Sequence, residues 1–156
     1  IDLIDTAVNR MVAYKVGKPP QAALELARCL KHSTQLIVEA MPLANIAKGP
    51  VATAWATTQT LPENNESAGL PAADKMVNNV VKSVTVEEGV IHILFGNRAN
   101  GALQGKTLTL RPAVVEDEPL VPVAWVCGHA KPPEKMTAMG ADKTDIAKAN
   151  LPVNCV

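Results

Sequence analysis

The sequence predicts an α+β fold, in which an N-terminal amphipathic helix packs on a four-stranded antiparallel sheet and a C-terminal loop closes the chain. Three observations carry that prediction. After Pro19 and Pro20, apolar residues recur at helical spacing at Ala23, Leu26, Ala27, Leu30, Ile37 and Met41. From Val80 to Cys127 period-two alternation takes over, with hairpin-sized gaps between the runs. Finally, Cys127 and Cys155 bracket a segment that carries Pro132, Pro133, Gly140 and Pro152 and no long apolar run.

In chain order, Ile4, Val8, Met11 and Val12 suggest a short helical stripe, interrupted around Gly17–Pro20. The main helix starts at the proline pair, whose missing N–H groups are unpaired in a first turn anyway. Glu25, Arg28, Lys31, Gln35 and Glu39 fall on its other faces. Pro42 disfavours continuation, so the helix is expected to end at Met41. Residues 42–75 mix Thr, Asn, Ala, Gly and Pro, with Pro62, Asn64, Asn65, Gly69 and Pro71 as punctuation. They predict a long connection with one short helix around Val51–Thr58. A connection of that length is uncommon unless functional or locally structured, which marks it as a contact surface.

The sheet follows. Val80, Lys82, Val84 and Val86 oppose Val81, Ser83 and Thr85, and Glu87-Glu88-Gly89 reads as a tight hairpin turn. Val90 to Phe95 is an apolar, β-branched strand, and Gly96 to Gly105 is turn-rich. Thr107 to Leu110 alternates Thr outward and Leu inward; Val121 to Cys127 alternates again with Trp125 inward. The buried face of this meander needs a cover, and the helix supplies it. The chain is thus read as a single domain, with a helical part at 1–41, a connection at 42–75, the sheet at 76–127, and a loop and tail at 128–156.

Residues 128–154 can scarcely build a core of their own, so something must pin their far end. A Cys127–Cys155 bridge would do so by removing roughly 3.5 kcal/mol of loop-closure entropy from the unfolded chain. It would also place folding outside the reducing cytosol. Two buried thiols and a frayed terminus are the alternative that spacing alone leaves open. Cys29 is left over and is expected as a small buried apolar residue.

Composition narrows the function. With 15 basic and 15 acidic residues the formal charge is zero, and no basic stripe advertises a polyanion. Tyr14, Trp55, Phe95 and Trp125 are the only aromatics, too few for a base-stacking platform. Nucleic acid is therefore not expected as the main ligand. No run of about 18 apolar residues spans a membrane. The opening at Ile1 without methionine is expected of a processed or trimmed product with a signal or anchor upstream.

Chemistry is thinly signalled. Cys29 and His32 stand at i, i+3, but His92 and His129 have no spacing that would complete a closed zinc site. There is no Gly-x-Ser-x-Gly elbow, Glu87-Glu88 reads as a charged hairpin tip, and Glu116-Asp117-Glu118 lacks the ligand spacing of a calcium loop. No catalytic, cofactor or metal residue is assigned, and an enzyme is not expected. His92, between Ile91 and Ile93, reads as a solvent-face or satisfied sheet residue, and His129 marks the edge of the loop. Lys131, Lys135, Lys143 and Lys148 outnumber Glu134, Asp142 and Asp145, leaving the loop slightly basic.

The phrases Ser83-Val84-Thr85-Val86-Glu87-Glu88-Gly89-Val90-Ile91-His92-Ile93 and Phe95-Gly96-Asn97-Arg98-Ala99-Asn100 resemble the central strands of type IVa major pilins of the pseudomonad kind. So do Leu103-Gln104-Gly105-Lys106-Thr107-Leu108-Thr109-Leu110-Arg111-Pro112 and Val123-Ala124-Trp125-Val126-Cys127-Gly128. Ser67-Ala68-Gly69-Leu70-Pro71 fits the lead-in to the sheet, and Leu151-Pro152-Val153-Asn154-Cys155 fits the family's ending. The likeness covers about residues 67–128 and the tail, in the family's order.

The resemblance implies a pilin fold with a disulfide from Cys127 to Cys155 closing the loop from Gly128 to Asn154. It also implies a structural subunit that polymerises with itself into a cell-surface filament, with an apolar N-terminal helix, absent from this stretch, anchoring the subunit in the inner membrane before assembly. Residues 1–41 match the family's helix in periodicity only. Subunit packing would use the 42–75 connection and the disulfide loop. Within the loop, Gly128, His129, Lys131, Lys135, Lys143 and Lys148 are the candidate contacts for a receptor or a neighbouring subunit. Filaments of this kind serve adhesion to host or abiotic surfaces, twitching motility and, in some cases, DNA uptake, and depend on a pilus assembly machinery. A secretion-system pseudopilin and a secreted adhesin or binding module are the rival readings; the paired tail cysteines favour the pilin.

Overall fold

The computed structural model describes residues 20–156, so the Ile4–Val12 stripe lies outside the described residues. Helix α1 runs Gln21–Thr58, 38 residues or about 57 Å. It starts where the proline pair predicts, with Ala23 N–H donating to Pro20 O at 2.9 Å. It does not stop at Met41. Pro42 and Pro50 both lie inside it, and the separate helix expected at 51–58 is its last two turns.

The reason is tertiary. A proline in a helix interior removes a hydrogen bond and crowds the carbonyl four residues back, at a cost of about 3 kcal/mol. Ala40, Ala44, Ala47, Val51 and Trp55, spaced four, three, four and four, form a buried seam against the sheet. Its small side chains let the helix axis approach the strands closely. Pro42 is exposed and Pro50 half-buried, so neither ring disturbs that seam. Gln59 then ends α1 in the left-handed conformation, its N–H donating to Trp55 O at 2.9 Å.

Of the expected stripe, Ala27 and Ile37 are buried, Leu30 and Met41 half-buried, and Ala23 and Leu26 exposed. Cys29 is exposed, which corrects the buried position expected for it. It stands about 200° round the helix from buried Ala27, on the opposite side.

The connection proper is therefore residues 60–80, and buried Asn65 organises it. Its Nδ2 donates to Pro71 O and Val84 O, both at 3.0 Å, and its Oδ1 accepts Val86 N–H at 2.6 Å. The outer edge of the first strand is thereby occupied rather than left open to another chain.

The strands are β1 (Val81–Glu87), β2 (Val90–Phe95), β3 (Thr107–Val114) and β4 (Ala124–Cys127), antiparallel in that order. Glu87 pairs with Val90 across the two-residue turn Glu88-Gly89, where both residues have positive φ (49° and 80°), as a type I′ hairpin requires. A Cβ on Gly89 would lie within 2.9 Å of the Leu61 side chain, so the turn needs glycine for space as well. Strand β3 outruns the expected Thr107–Leu110, passing through Pro112, which pairs with Trp125. A two-residue strand, β5 (Thr137–Ala138), takes the edge of β3 beyond the end of β2. It was not foreseen: two residues carry no alternation.

One face of the sheet, with Val84, Val86, Ile91, Ile93, Phe95, Leu108 and Leu110, packs on the α1 seam. Trp125 packs at its margin, half-buried, with Lys48 Nζ of α1 5.8 Å from its ring centroid. Ile146, Leu151 and Cys155 join the same core from the tail. The other face carries His92 paired beside Thr109.

Candidate contact site in the disulfide-bound loop

The loop opens and closes at one point. Cys127 and Cys155 are bridged, with their Cα atoms 4.5 Å apart. Gly128, at φ +54°, follows at once; its N–H donates to Thr109 O at 2.8 Å, and His129 N–H donates to Cys155 O at 2.9 Å. A Cβ on Gly128 would fall 2.5 Å from Cys155 O, so only glycine lets the two ends of the loop meet. Arg111 Nη2 reaches Gly128 O (3.4 Å) and Ala130 O (3.3 Å) from β3.

From there the loop has two regimes. Residues 131–135 project outward around Pro132 and Pro133, all exposed. Lys131 and Lys135 have no acidic partner among the described residues. After β5, Met139 N–H donates to Pro112 O at 2.8 Å, and residues 142–145 run against β3 as a strap, with Asp145 N–H donating to Thr107 O at 3.2 Å. Ile146 and Leu151, lone apolar residues in a polar stretch, then anchor the chain in the core.

The strap is held by polar contacts to β3 and β1. Lys143 N–H donates to Thr109 Oγ1 and Thr109 N–H to Thr144 Oγ1, both at 3.0 Å; Thr107 N–H donates to Asp145 Oδ1 at 2.6 Å. Lys143 Nζ pairs with Glu87 Oε2. Beneath it, His92 lies 9% exposed, its Nδ1 3.0 Å from Thr109 Oγ1 and its Nε2 3.3 Å from Glu87 Oε2. The strap also explains a mismatch with the sequence reading. Thr109 does point away from the helix, as alternation requires, yet it is 0% exposed because the strap covers it. His92 is accordingly the satisfied sheet residue of the two readings offered for it.

Charge follows from this packing. Burial pushes the His92 pKa below its ordinary value, and the nearby Lys143 charge adds to that, against the opposing pull of Glu87 and Asp142. Lys143, by hydrogen bond and charge, holds the Glu87 carboxyl below the usual range. Burial would raise Asp142, but hydrogen bonds from the Thr144 hydroxyl and N–H and from His129 outweigh it and leave the carboxyl lowered. His129 Nδ1 sits 2.7 Å from Asp142 Oδ2, tying the exposed start of the loop to the strap.

The six candidate contact residues thus divide. Lys131, Lys135, Lys148 and His129 are displayed, Lys143 is spent on Glu87, and Gly128 is buried in the closure. Asp142, Thr144 and Thr109, which hold the strap, were missed by sequence reasoning; the only clue was a Thr set between two leucines opposite a His. A crevice of about 200 Å³ lies between hairpin tip and strap, lined by Glu87, Glu88, Val90, His92, Gly140, Ala141 and Lys143. Cys29 and His32 are both exposed on α1, and among the described residues no three His, Cys, Asp or Glu side chains converge on a metal position.

The family model for pilin, a bacterial filament protein, matches residues 36–156, from the middle of α1 through the bridged tail. The chain belongs to the pilin family. This pilin is 33% identical over 126 residues to a type IV major pilin protein of Neisseria gonorrhoeae, covering 76% of the chain and 67% of that protein. It is 30% identical over 115 residues to a fimbrial protein of Neisseria meningitidis serogroup B, covering 73% and 65%. The pilin described here spans about two thirds of the length of these relatives.

Proposed function

We propose that this pilin is the globular part of a major structural subunit of a type IV pilus, polymerising with copies of itself into a surface filament. The observation that carries the reading is the pilin-family match across residues 36–156, together with a long helix whose sheet-facing seam is continuous with a bridged C-terminal loop. The pseudomonad kind is favoured by the wording of its central strands, although the relatives reported above are neisserial. The apolar N-terminal helix that the resemblance implies, absent from this stretch, would form the filament core and hold the subunit in the inner membrane before the assembly machinery extracts it. The filament would act in adhesion to host or abiotic surfaces, in twitching motility and in DNA uptake, as a structural protein rather than an enzyme.

Within this reading the whole chain is one globular domain, and its outward contacts lie on His129, Lys131, Lys135 and Lys148. Lys131 and Lys135 support this best, being exposed on a proline-stiffened loop with no acidic partner among the described residues. The test is genetic and direct. Deleting the gene in the source organism should remove filaments visible by electron microscopy, and restoring it should return filaments that an antibody against residues 20–156 decorates. Filaments that persist unchanged and unlabelled would refute the proposal.

A further inference from the structure

We propose that residues 142–145 are an acid-released latch: protonation of the buried His92 ring breaks the hydrogen-bond relay beneath the strap and lets it lift, while the Cys127–Cys155 bridge keeps both ends of the loop attached.

The geometry assigns the proton positions. Thr109 Oγ1 accepts the Lys143 N–H at 3.0 Å. Its own hydroxyl hydrogen is then free to donate to His92 Nδ1, also at 3.0 Å. Nδ1 is therefore the acceptor of a neutral ring, and Nε2 carries the hydrogen, aimed at Glu87 Oε2 at 3.3 Å. Every polar atom of Thr109 serves the loop: its N–H donates to Thr144 Oγ1, its carbonyl accepts Gly128 N–H, and its hydroxyl joins Lys143 to His92.

A second proton on His92 must go to Nδ1. That nitrogen then becomes a donor, and Thr109 Oγ1 has to accept from it and from Lys143 N–H together. The hydroxyl hydrogen of Thr109, in a residue with no solvent exposure, loses its acceptor. The new positive charge also sits under Lys143. Among the described residues, three charged groups act on the ring: Glu87 from β1 attracts it but is shared with Lys143; Lys143 from the strap repels it; Asp142 attracts from farther along the strap. Glu88 lines the same crevice from the hairpin turn. The cheapest escape is for the strap to rise and let water reach Thr109 and His92, a local opening rather than unfolding.

The experiment is amide hydrogen exchange by NMR on the full chain of 156 residues with the bridge intact, between pH 7.5 and 5.5 and normalised to intrinsic rates. In this window Glu87 and Asp142, both held low, stay ionised. The opening constant read at Lys143 N–H and Thr109 N–H should rise as pH falls, by up to about tenfold at pH 5.5, since one proton contributes at most one order of magnitude per pH unit below the ordinary His value of about 6.5. Protection at Ile93 and Leu110 should not change. In His92→Gln the rise should vanish; in His129→Asn, which removes the other ring near Asp142, it should remain. A flat wild-type profile, the same rise in His92→Gln, or its loss in His129→Asn overturns the latch. If His92→Gln does not fold, the wild-type ring nitrogens decide. An Nε2–H tautomer whose protonation coincides with the strap transition supports the latch; an Nδ1–H tautomer, or titration that leaves the strap amides untouched, overturns it.

Discussion

Replacing Cys127 and Cys155 together by alanine should lower the stability of this pilin by about 3.5 kcal/mol. The bridge closes a loop with a sequence separation of 28. For that length the loop-closure entropy removed from the unfolded chain is about 12 cal/mol/K, or about 3.6 kcal/mol at 25 °C. The folded state loses less, because Ile146 and Leu151 remain in the core and the strap keeps its bonds to Thr107 and Thr109. At about 2–4 °C per kcal/mol for a chain of this size, the melting temperature should fall by about 7–14 °C. Urea denaturation followed by circular dichroism separates the causes. An uncrosslinked unfolded chain exposes more surface, so the denaturant slope should rise while the free energy falls. A loss below about 1 kcal/mol with an unchanged slope would refute the argument, by showing that the tail restrains the unfolded chain just as much without the covalent link.

Asn65→Ala should cost about 3 kcal/mol, since it strands Val86 N–H and Val84 O on the sheet edge, with Asn64→Ala beside it costing under about 1 kcal/mol by the same unfolding assay. Pro42→Ala should raise stability by about 1–3 kcal/mol, because the ring is exposed and off the packed seam; a loss would mean that the helix needs its proline to meet the sheet. Acid should destabilise the fold in two stages. His92 has its pKa lowered below 6.5, so the unfolded chain binds more protons and stability falls as pH drops below that value; Asp142 and Glu87, lowered as well, add a second fall below about pH 4.5. Urea midpoints from pH 8 to 3 check this, and a midpoint rising toward acid would contradict the sign. Gly89→Ala should cost at least about 1 kcal/mol, combining the positive φ with the Leu61 contact, and a neutral melting temperature would show that Leu61 yields freely.

How much of this was legible before the structure depends on the range of the determining contacts. The hairpin at Glu88-Gly89 was readable because the turn's own residues dictate its shape. The start of α1 was readable for the same reason, from Pro19 and Pro20. Its end was not. Pro42 argues locally for a stop, and the overriding term is burial of Ala40, Ala44, Ala47 and Val51 against strands placed thirty or more residues later. Three of those four are alanines, which carry too little apolar contrast to mark a face by periodicity. Cys29 failed similarly: a cysteine's preference for burial says nothing about which side of a helix the sheet will meet.

The site divides along the same line. Cys127 and Cys155 announced a closed loop because a covalent option is written in residue identity. The strap announced nothing, since Lys143 and Thr144 reach Thr109 across 34 and 35 positions, and through one backbone N–H and one hydroxyl. A strand residue's burial is set by both faces of its sheet, and alternation reports only which face it is on. Thr109 was placed on the correct face, yet its exposure and that of His92 depended on where a proline-rich tail would come to rest. Thr109 is the residue through which the two halves communicate: it belongs to the sheet by its register with His92 and to the loop by all three of its polar groups. Changing its hydroxyl therefore tests more than a contact. Thr109→Val keeps shape and strand propensity while removing the bond to Lys143 and the one to His92 at once.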